Sequence, residues 1–191
     1  EAAQLLYGGP WVAERTAAVA ALLAANPDAI DPTVRSIVEP GADVSAVELF
    51  NGMYRLAAIK RHADLLWGDI DMMAFPTTGT TYRVSELLAA PVALNSNLGL
   101  YTNFVNLLDM AALAVPAGIR ANATGFGITL IGPADTDRAL LDVADAYLSV
   151  ADLPPPPSLD LEGKMQTVKL AVVGALSLIH ISEPTRPRLI S

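Results

Sequence analysis

Apolar residues recur at helical spacing in two long stretches of the first third of the chain. After Gly9-Pro10, where Pro suits a first helical position, the spacing predicts a helix that ends near Asn26-Pro27. Ser45-Ala-Val-Glu48 is a capping box, which predicts a second helix from about Ala46 to Leu66. The predicted inward stripe of this second helix consists of Leu49, Phe50, Met53, Leu56, Ala57 and Leu65. Two long helices are therefore expected before residue 67, joined by a short turn or helix that starts at Asp31-Pro32 and closes at Glu39-Pro40-Gly41.

Short apolar runs bounded by Gly and Pro follow these helices. The run Ile70–Phe75 predicts a buried strand that leads into the loop Pro76–Thr81. Ala114–Pro116 and Gly127–Ile131 predict two more strands. A closing helix is expected to start at Thr136 or Asp137, with Leu140, Leu141, Val143, Ala144 and Leu148 facing inward. The alternation of helices and strands favours an α/β fold, with a sheet packed by helices.

A dense group of amide and hydroxyl side chains precedes the second predicted strand. It consists of Asn95, Asn97, Tyr101, Asn103 and Asn106. Thr102 or Asn103 suits the N-cap of a further helix, and the other side chains suit hydrogen bonds to buried backbone. These residues are therefore expected to have a structural role.

Composition narrows the possible functions. The 191 residues are 52% hydrophobic and 17% charged, with a net charge of -8 and no Cys, which suits a well-buried globular core. The Lys and Arg residues before residue 176 are scattered along the chain and form no cluster, so nucleic acid is not an expected partner. No metal centre or cofactor is expected, because Cys is absent and His62 is the only His before residue 176. The apolar stretches are too short to span a bilayer, so we expect a cytoplasmic protein without membrane contact.

A run of four prolines, Pro154–Pro157, marks the expected domain boundary. Residues 1–151 then form one domain, residues 152–163 a linker, and residues 164–175 the first strand of a further domain. Residues 176–191 resemble the translation of a sequencing adapter and are left out of the functional interpretation.

Three separated motifs carry a family resemblance. They are Leu6-Tyr-Gly-Gly-Pro-Trp-Val-Ala-Glu-Arg15, Asn95-Ser-Asn-Leu-Gly-Leu-Tyr-Thr-Asn-Phe104 and Val115-Pro-Ala-Gly118 followed by a Gly-led strand. In this order they resemble the C-terminal part of the amidase-signature hydrolases, and specifically the allophanate hydrolases. The resemblance implies a partial amidase-signature fold with a mixed sheet, followed by the start of the family's small C-terminal domain.

The same resemblance implies a catalytic set that is not found in this chain. The family hydrolyses amides with a Ser nucleophile, a second Ser in a cis peptide and a Lys, and those residues precede Glu1 in the family pattern. Here Lys60 is interpreted as helix surface and His62 as part of a solvated helix face. We therefore expect no catalytic residue in the chain, and no hydrolysis by the chain alone, although the parent enzyme would split allophanate into ammonia and carbon dioxide.

Substrate recognition is what the resemblance leaves for this segment. The family pattern places a Tyr and an Arg around the Gly-Gly-Pro-Trp turn, and the matching residues are Tyr7 and Arg15. A guanidinium can hold a carboxylate through two hydrogen bonds, and a phenol adds a third. The alternative makes Arg15 a surface partner of Glu14 or of a later acidic residue, and Tyr7 a packing residue. Thr77 and Thr78, in the loop after the predicted strand Ile70–Phe75, are further candidates for the mouth of the pocket.

Two other functions stay open at this point. A different amidase-signature enzyme would act on an aryl or acyl amide, which needs no carboxylate clamp. A non-catalytic binding module would fit the missing Ser and Lys. The expected partner is a small-molecule amide or carboxylate substrate, and the family resemblance adds a possible homodimer.

Overall fold

A computed structural model describes residues 1–153, with Tyr7 described by its backbone alone. The elements, in chain order, are α1 (Ala2–Tyr7), α2 (Val12–Ala25), α3 (Pro32–Val38), α4 (Ala46–Leu66), β1 (Met73–Pro76), α5 (Val84–Ala89), α6 (Pro91–Leu98), β2 (Ala111–Ile119), β3 (Gly125–Gly132) and α7 (Asp137–Val150). Two 3-10 turns lie at Pro27–Ala29 and Glu39–Asp43. The greater part of the proposed linker, and the segments proposed after it, lie outside the described residues.

The long helix α4 starts and ends where its sequence predicts. The Ser45 hydroxyl accepts a hydrogen bond from the Glu48 N–H, and the Glu48 carboxylate accepts one from the Ser45 N–H at 2.9 Å. These two bonds satisfy N–H groups that have no partner within the helix. By contrast α2 begins at Val12, two residues after Pro10, because Pro10 lies in the turn that precedes it.

The three described strands form an antiparallel sheet in the order β1-β3-β2. Strand β2 is longer than the predicted Ala114–Pro116, and its pairing with β3 shifts between Pro116 and Gly118. Gly118 has φ +148°, a backbone conformation that residues with a Cβ rarely adopt. A glycine at this position therefore permits the bulge. The predicted α/β fold with helices packed on a sheet is confirmed.

Helix α7 covers β2 and β3 along a narrower stripe than predicted. Leu140 and Ala144 are buried against Ala111, Val115 and Leu130, and Tyr147 packs against this cluster. The predictions for the three remaining positions are wrong, because Leu141, Val143 and Leu148 are exposed. One side of α7 meets the sheet, and these three residues lie outside that side.

A second cluster joins α1 and α4 to the segment between α6 and β2. It contains Leu5 and Leu6 of α1, Ala63 of α4, and Leu107 and Leu108. Of the predicted stripe of α4, Leu56 packs on this cluster as expected, together with Ile59, whereas the buried residues of the helix are Gly52 and Ala63. Phe50, Met53 and Leu65 are exposed instead. The sequence showed a wide apolar surface on α4, of which the described residues cover only one side.

The helix expected from Thr102 or Asn103 does not form. Residues 100–109 are a succession of turns, in which Thr102 N–H donates to Gly99 O and Val105 N–H donates to Thr102 O. Asn side chains compete with the backbone for hydrogen bonds and weaken helices, and Asp109, with φ +55°, has a left-handed conformation that a helix does not contain. Residues 99–109 are called the turn segment below.

Among residues 1–153, no helix combines the length and the apolar character that crossing a bilayer requires.

Candidate functional site

The Gly-Gly-Pro-Trp motif forms a tight turn between α1 and α2 that is packed on both sides. A Cβ on Gly9 would lie 2.6 Å from the carbonyl oxygen of Leu5, so only glycine fits there. Pro10 lies against α4, since a Cβ on Gly52 would lie 2.4 Å from the Pro10 Cγ. The turn therefore has a fixed position between α1 and α4.

Arg15 lies in the first turns of α2, just after this motif, and only 3% of it is exposed. The alternative interpretation, in which Arg15 is a surface partner of Glu14 or of a later acidic residue, is wrong because Arg15 lies in the interior and not at the surface. Burial of a guanidinium is costly, and its pKa is too high for it to lose its charge, so a protein keeps it inside only with compensating groups. Tyr7 is the last residue of α1 and thus stands at the other end of the same turn.

The loop after β1 carries the other two candidates, Thr77 and Thr78. The Thr77 N–H donates to the Gly127 carbonyl at 2.9 Å, and the buried hydroxyl of Thr129 donates to the Thr77 hydroxyl at 3.0 Å. A Cβ on Gly127 would lie 3.0 Å from the Thr77 hydroxyl oxygen, so glycine lets the loop approach β3 closely. Thr77 is thereby fixed against β3.

Thr78 is held by Arg120, a residue that no sequence motif marked as a candidate. Its hydroxyl donates to the Thr80 carbonyl at 3.1 Å, and its carbonyl accepts a hydrogen bond from Arg120 Nη2 at 3.0 Å. The guanidinium of Arg120 also lies over the ring of Phe126, 5.3 Å from its centroid. Arg120 is 42 residues away from Thr78 in the chain, and no local pattern links the two.

The turn segment contacts both candidate regions. Phe104 packs edge-on against Phe75 of β1, with 6.2 Å between ring centroids, and also packs on the cluster formed by α1 and α4. Lys60 of α4, expected as helix surface, donates to the Leu108 carbonyl at 3.2 Å and pairs with Asp64 at 3.1 Å. Lys60 thus anchors the turn segment, whereas His62 is exposed as predicted.

Comparison with known proteins gives a consistent result. No family model matches the chain. The urea amidolyase of Lachancea kluyveri is 44% identical over 151 residues, and that of Saccharomyces cerevisiae is 43% identical over 149 residues. These matches cover 78% and 77% of this chain, respectively. The crystal structure of Kluyveromyces lactis allophanate hydrolase superposes with a TM-score of 0.75 and 43% sequence identity over 78% of the chain.

The chain is much shorter than these relatives. It spans 8% of each urea amidolyase and 25% of the K. lactis allophanate hydrolase chain. The sequence matches and the superposition each cover more than three quarters of this chain, so the predicted family is confirmed. The chain belongs to the allophanate hydrolases of the amidase-signature family and corresponds to one segment of their amidase domain.

Proposed function

We propose that this chain is the substrate-recognising segment of an allophanate hydrolase, an enzyme that splits allophanate into ammonia and carbon dioxide during urea breakdown. The observation that carries the proposal is the 43% identity to K. lactis allophanate hydrolase, with a TM-score of 0.75, over 78% of the chain. The catalytic Ser, cis Ser and Lys belong to the part of the enzyme that precedes residue 1 in the family pattern. The chain alone is then inactive.

The proposed role of Arg15 is to bind the carboxylate of allophanate. The side chain is 3% exposed and follows a turn that Gly9 and Pro10 fix against α1 and α4. A guanidinium held in a low-dielectric interior attracts an anion more strongly than one in water. This supports a carboxylate substrate over the neutral aryl or acyl amides of other amidases.

Tyr7, Thr77 and Thr78 complete the proposed site. Tyr7 stands at the other end of the turn from Arg15 and would donate one hydrogen bond to the same carboxylate. In the second loop the Thr77 hydroxyl accepts a hydrogen bond from Thr129 at 3.0 Å, and its own hydrogen would be donated to a substrate oxygen. The proposed enzyme is cytoplasmic, does not bind nucleic acid and forms a homodimer.

The test uses a hybrid enzyme, in which residues 1–152 replace the matching segment of K. lactis allophanate hydrolase. Ammonia release is measured from allophanate and from biuret, in which a neutral amide replaces the carboxylate. In Arg15→Ala the loss of a charge-assisted pair lowers kcat/KM for allophanate by roughly 10- to 100-fold, and the loss for biuret is smaller.

The matched control is Arg138→Ala, since Arg138 lies on the exposed face of α7 and pairs with Asp142. This variant should keep both activities. Equal losses on allophanate and biuret in Arg15→Ala would show that Arg15 does not select a carboxylate, and an unsubstituted hybrid without activity would refute the proposed function.

A further inference from the structure

We infer that Arg120 is a positioning residue that holds the loop Thr77–Thr81 in the shape needed for substrate binding. The inference rests on the proposed function for its link to substrate, but its structural part stands on the contacts of Arg120 alone. No local sequence signal marks this residue, which directly follows β2 at the hairpin turn between β2 and β3.

The guanidinium of Arg120 makes two contacts on different sides. Nη2 donates to the Thr78 carbonyl at 3.0 Å, and the planar group lies 5.3 Å from the centroid of Phe126. A hydrogen bond from a charged donor is stronger than a neutral one, and the ring stabilises the cation that makes it. Arg120 is half-buried, so water screens these contacts only in part.

The backbone of Arg120 is held as firmly as its side chain. Its N–H donates to the Thr124 carbonyl at 2.8 Å, and its carbonyl accepts from the Ala123 N–H at 2.9 Å. The Asn122 side chain accepts two further hydrogen bonds from Thr124. Because the hairpin turn is closed by these bonds, little conformational freedom is lost when Arg120 reaches the loop.

Arg120 supplies a restraint that the loop lacks by itself. Thr77 is bound to β3 through its N–H and its hydroxyl. Beyond Thr77, the described side-chain bonds within the loop are local ones, from Thr78 to the Thr80 carbonyl and from Thr80 to the Thr81 carbonyl. The bond from Arg120 to the Thr78 carbonyl therefore ties the outer part of the loop to the sheet.

The β-bulge explains how the hairpin end reaches the loop. Pairing of β2 with β3 shifts between Pro116 and Gly118, and such bulges bend a strand and turn its later side chains in a new direction. Arg120 follows the bulge by two residues. A role confined to closing the hairpin would need only its backbone, whereas the guanidinium is directed at the loop after β1.

The experiment measures hydrogen exchange and kinetics on the hybrid enzyme carrying residues 1–152. In Arg120→Ala, amide hydrogens of residues 77–81 should exchange roughly tenfold faster, and KM for allophanate should rise by a similar factor with a smaller change in kcat. Arg120→Lys keeps the charge and should recover part of both effects. Phe126→Leu should loosen the same residues by a smaller factor, and Arg138→Ala should change neither quantity.

The outcomes separate this inference from the proposed function. Unchanged exchange of residues 77–81 in Arg120→Ala would overturn the inference, as would faster exchange with unchanged KM. If Arg120→Ala fails to fold, the same comparison is made with Arg120→Lys and Phe126→Leu, and unchanged exchange in both overturns it. If the unsubstituted hybrid releases no ammonia, the proposed function fails, and exchange in Arg120→Ala still decides whether Arg120 holds the loop.

Discussion

Two packed regions of this chain differ in how completely they bury their apolar side chains. The sheet unit, formed by β2, β3 and α7, encloses its own core: Leu140 is 1% exposed and Ala144 is 3% exposed. The helical unit, formed by α1, α4 and the turn segment, does not. On α4, Phe50 is 52% exposed and Tyr54 is 69% exposed, and the two rings lie 6.3 Å apart.

The two regions differ in how far apart in the sequence their packed elements lie. A hairpin followed by a helix can close a core within 40 residues, because each element meets the next one along the chain. Helix α4 is apolar on more than one side, and within residues 1–153 only one of these sides is covered. Exposed apolar patches of this kind are typical of surfaces that bind other protein segments. The chain spans 25% of its solved relative, which fits this explanation.

The largest expected effect comes from the core of the sheet unit. Leu140→Ala should lower the free energy of unfolding by about 2–5 kcal/mol, because it leaves a cavity against β2 and β3. Leu141→Ala is the control, since Leu141 is the adjacent residue of α7 and is exposed. It should cost less than about 1 kcal/mol. Urea unfolding of the hybrid enzyme measures both, and equal costs would contradict the idea that the sheet unit closes its own core.

A medium effect is expected in the helical unit, where α4 approaches Pro10. A Cβ on Gly52 would lie 2.4 Å from the Pro10 Cγ, so Gly52→Ala should destabilise by about 1–3 kcal/mol. Helix propensity alone predicts the opposite sign, since Ala is favoured over Gly by about 1 kcal/mol. The control is Asn51→Ala at the exposed neighbour, which gains helix propensity without a close contact and should not destabilise the helix. A stabilised Gly52→Ala would show that the turn and α4 are not in close contact.

The smallest expected effect concerns the start of α4. Ser45→Ala should cost about 1 kcal/mol through loss of the N-cap. The backbone N–H and the hydroxyl of Ser45 donate to the Glu48 carboxylate and lower its pKa. A lowered pKa in the folded state means that this stabilisation is complete above the ordinary glutamate pKa and is lost as pH falls through the lowered value.

Glu48→Gln tests that pH dependence directly. Gln retains an acceptor for the Ser45 N–H but does not titrate, so the acid-induced loss should be smaller than in the unsubstituted hybrid. Unfolding midpoints measured from pH 7 down to the acid limit of the hybrid give the comparison. Identical acid sensitivity in both proteins would show that Glu48 contributes nothing to it.

The predictions from sequence succeeded where the signal was local. The capping box placed α4, and the apolar runs placed the three described strands approximately: β2 and β3 extend beyond their predicted limits on both sides. The prediction of a buried strand from Ile70 to Phe75 is wrong in part, because β1 starts at Met73, contains no buried residue and leaves Ile70 exposed. Helices α5 and α6 were not predicted, because they are only 6 and 8 residues long and carry weak periodicity. The helix expected within the turn segment failed because local Asn side chains and the left-handed Asp109 favour turns.

In the candidate site, too, some residues were identified from the sequence and others only from the structure. The Gly-Gly-Pro-Trp motif pointed to Tyr7 and Arg15 through its resemblance to a family, and the roles of Thr77 and Thr78 stay predictions. The burial of Arg15 and the reach of Arg120 to Thr78 came from the structure. Both depend on which elements pack together, and sequence patterns of a few residues do not report that.

By itself, the sequence determined the kinds of elements, their approximate limits and the family, because capping, glycine and proline positions and apolar spacing act over a few residues. The tertiary structure decided which faces are buried. It turned α7 onto the sheet through Leu140 and Ala144, left Phe50 and Met53 of α4 exposed, and placed Arg15 in the interior. Burial is a property of contacts between residues distant in the chain, so packing assigned these side chains their environments.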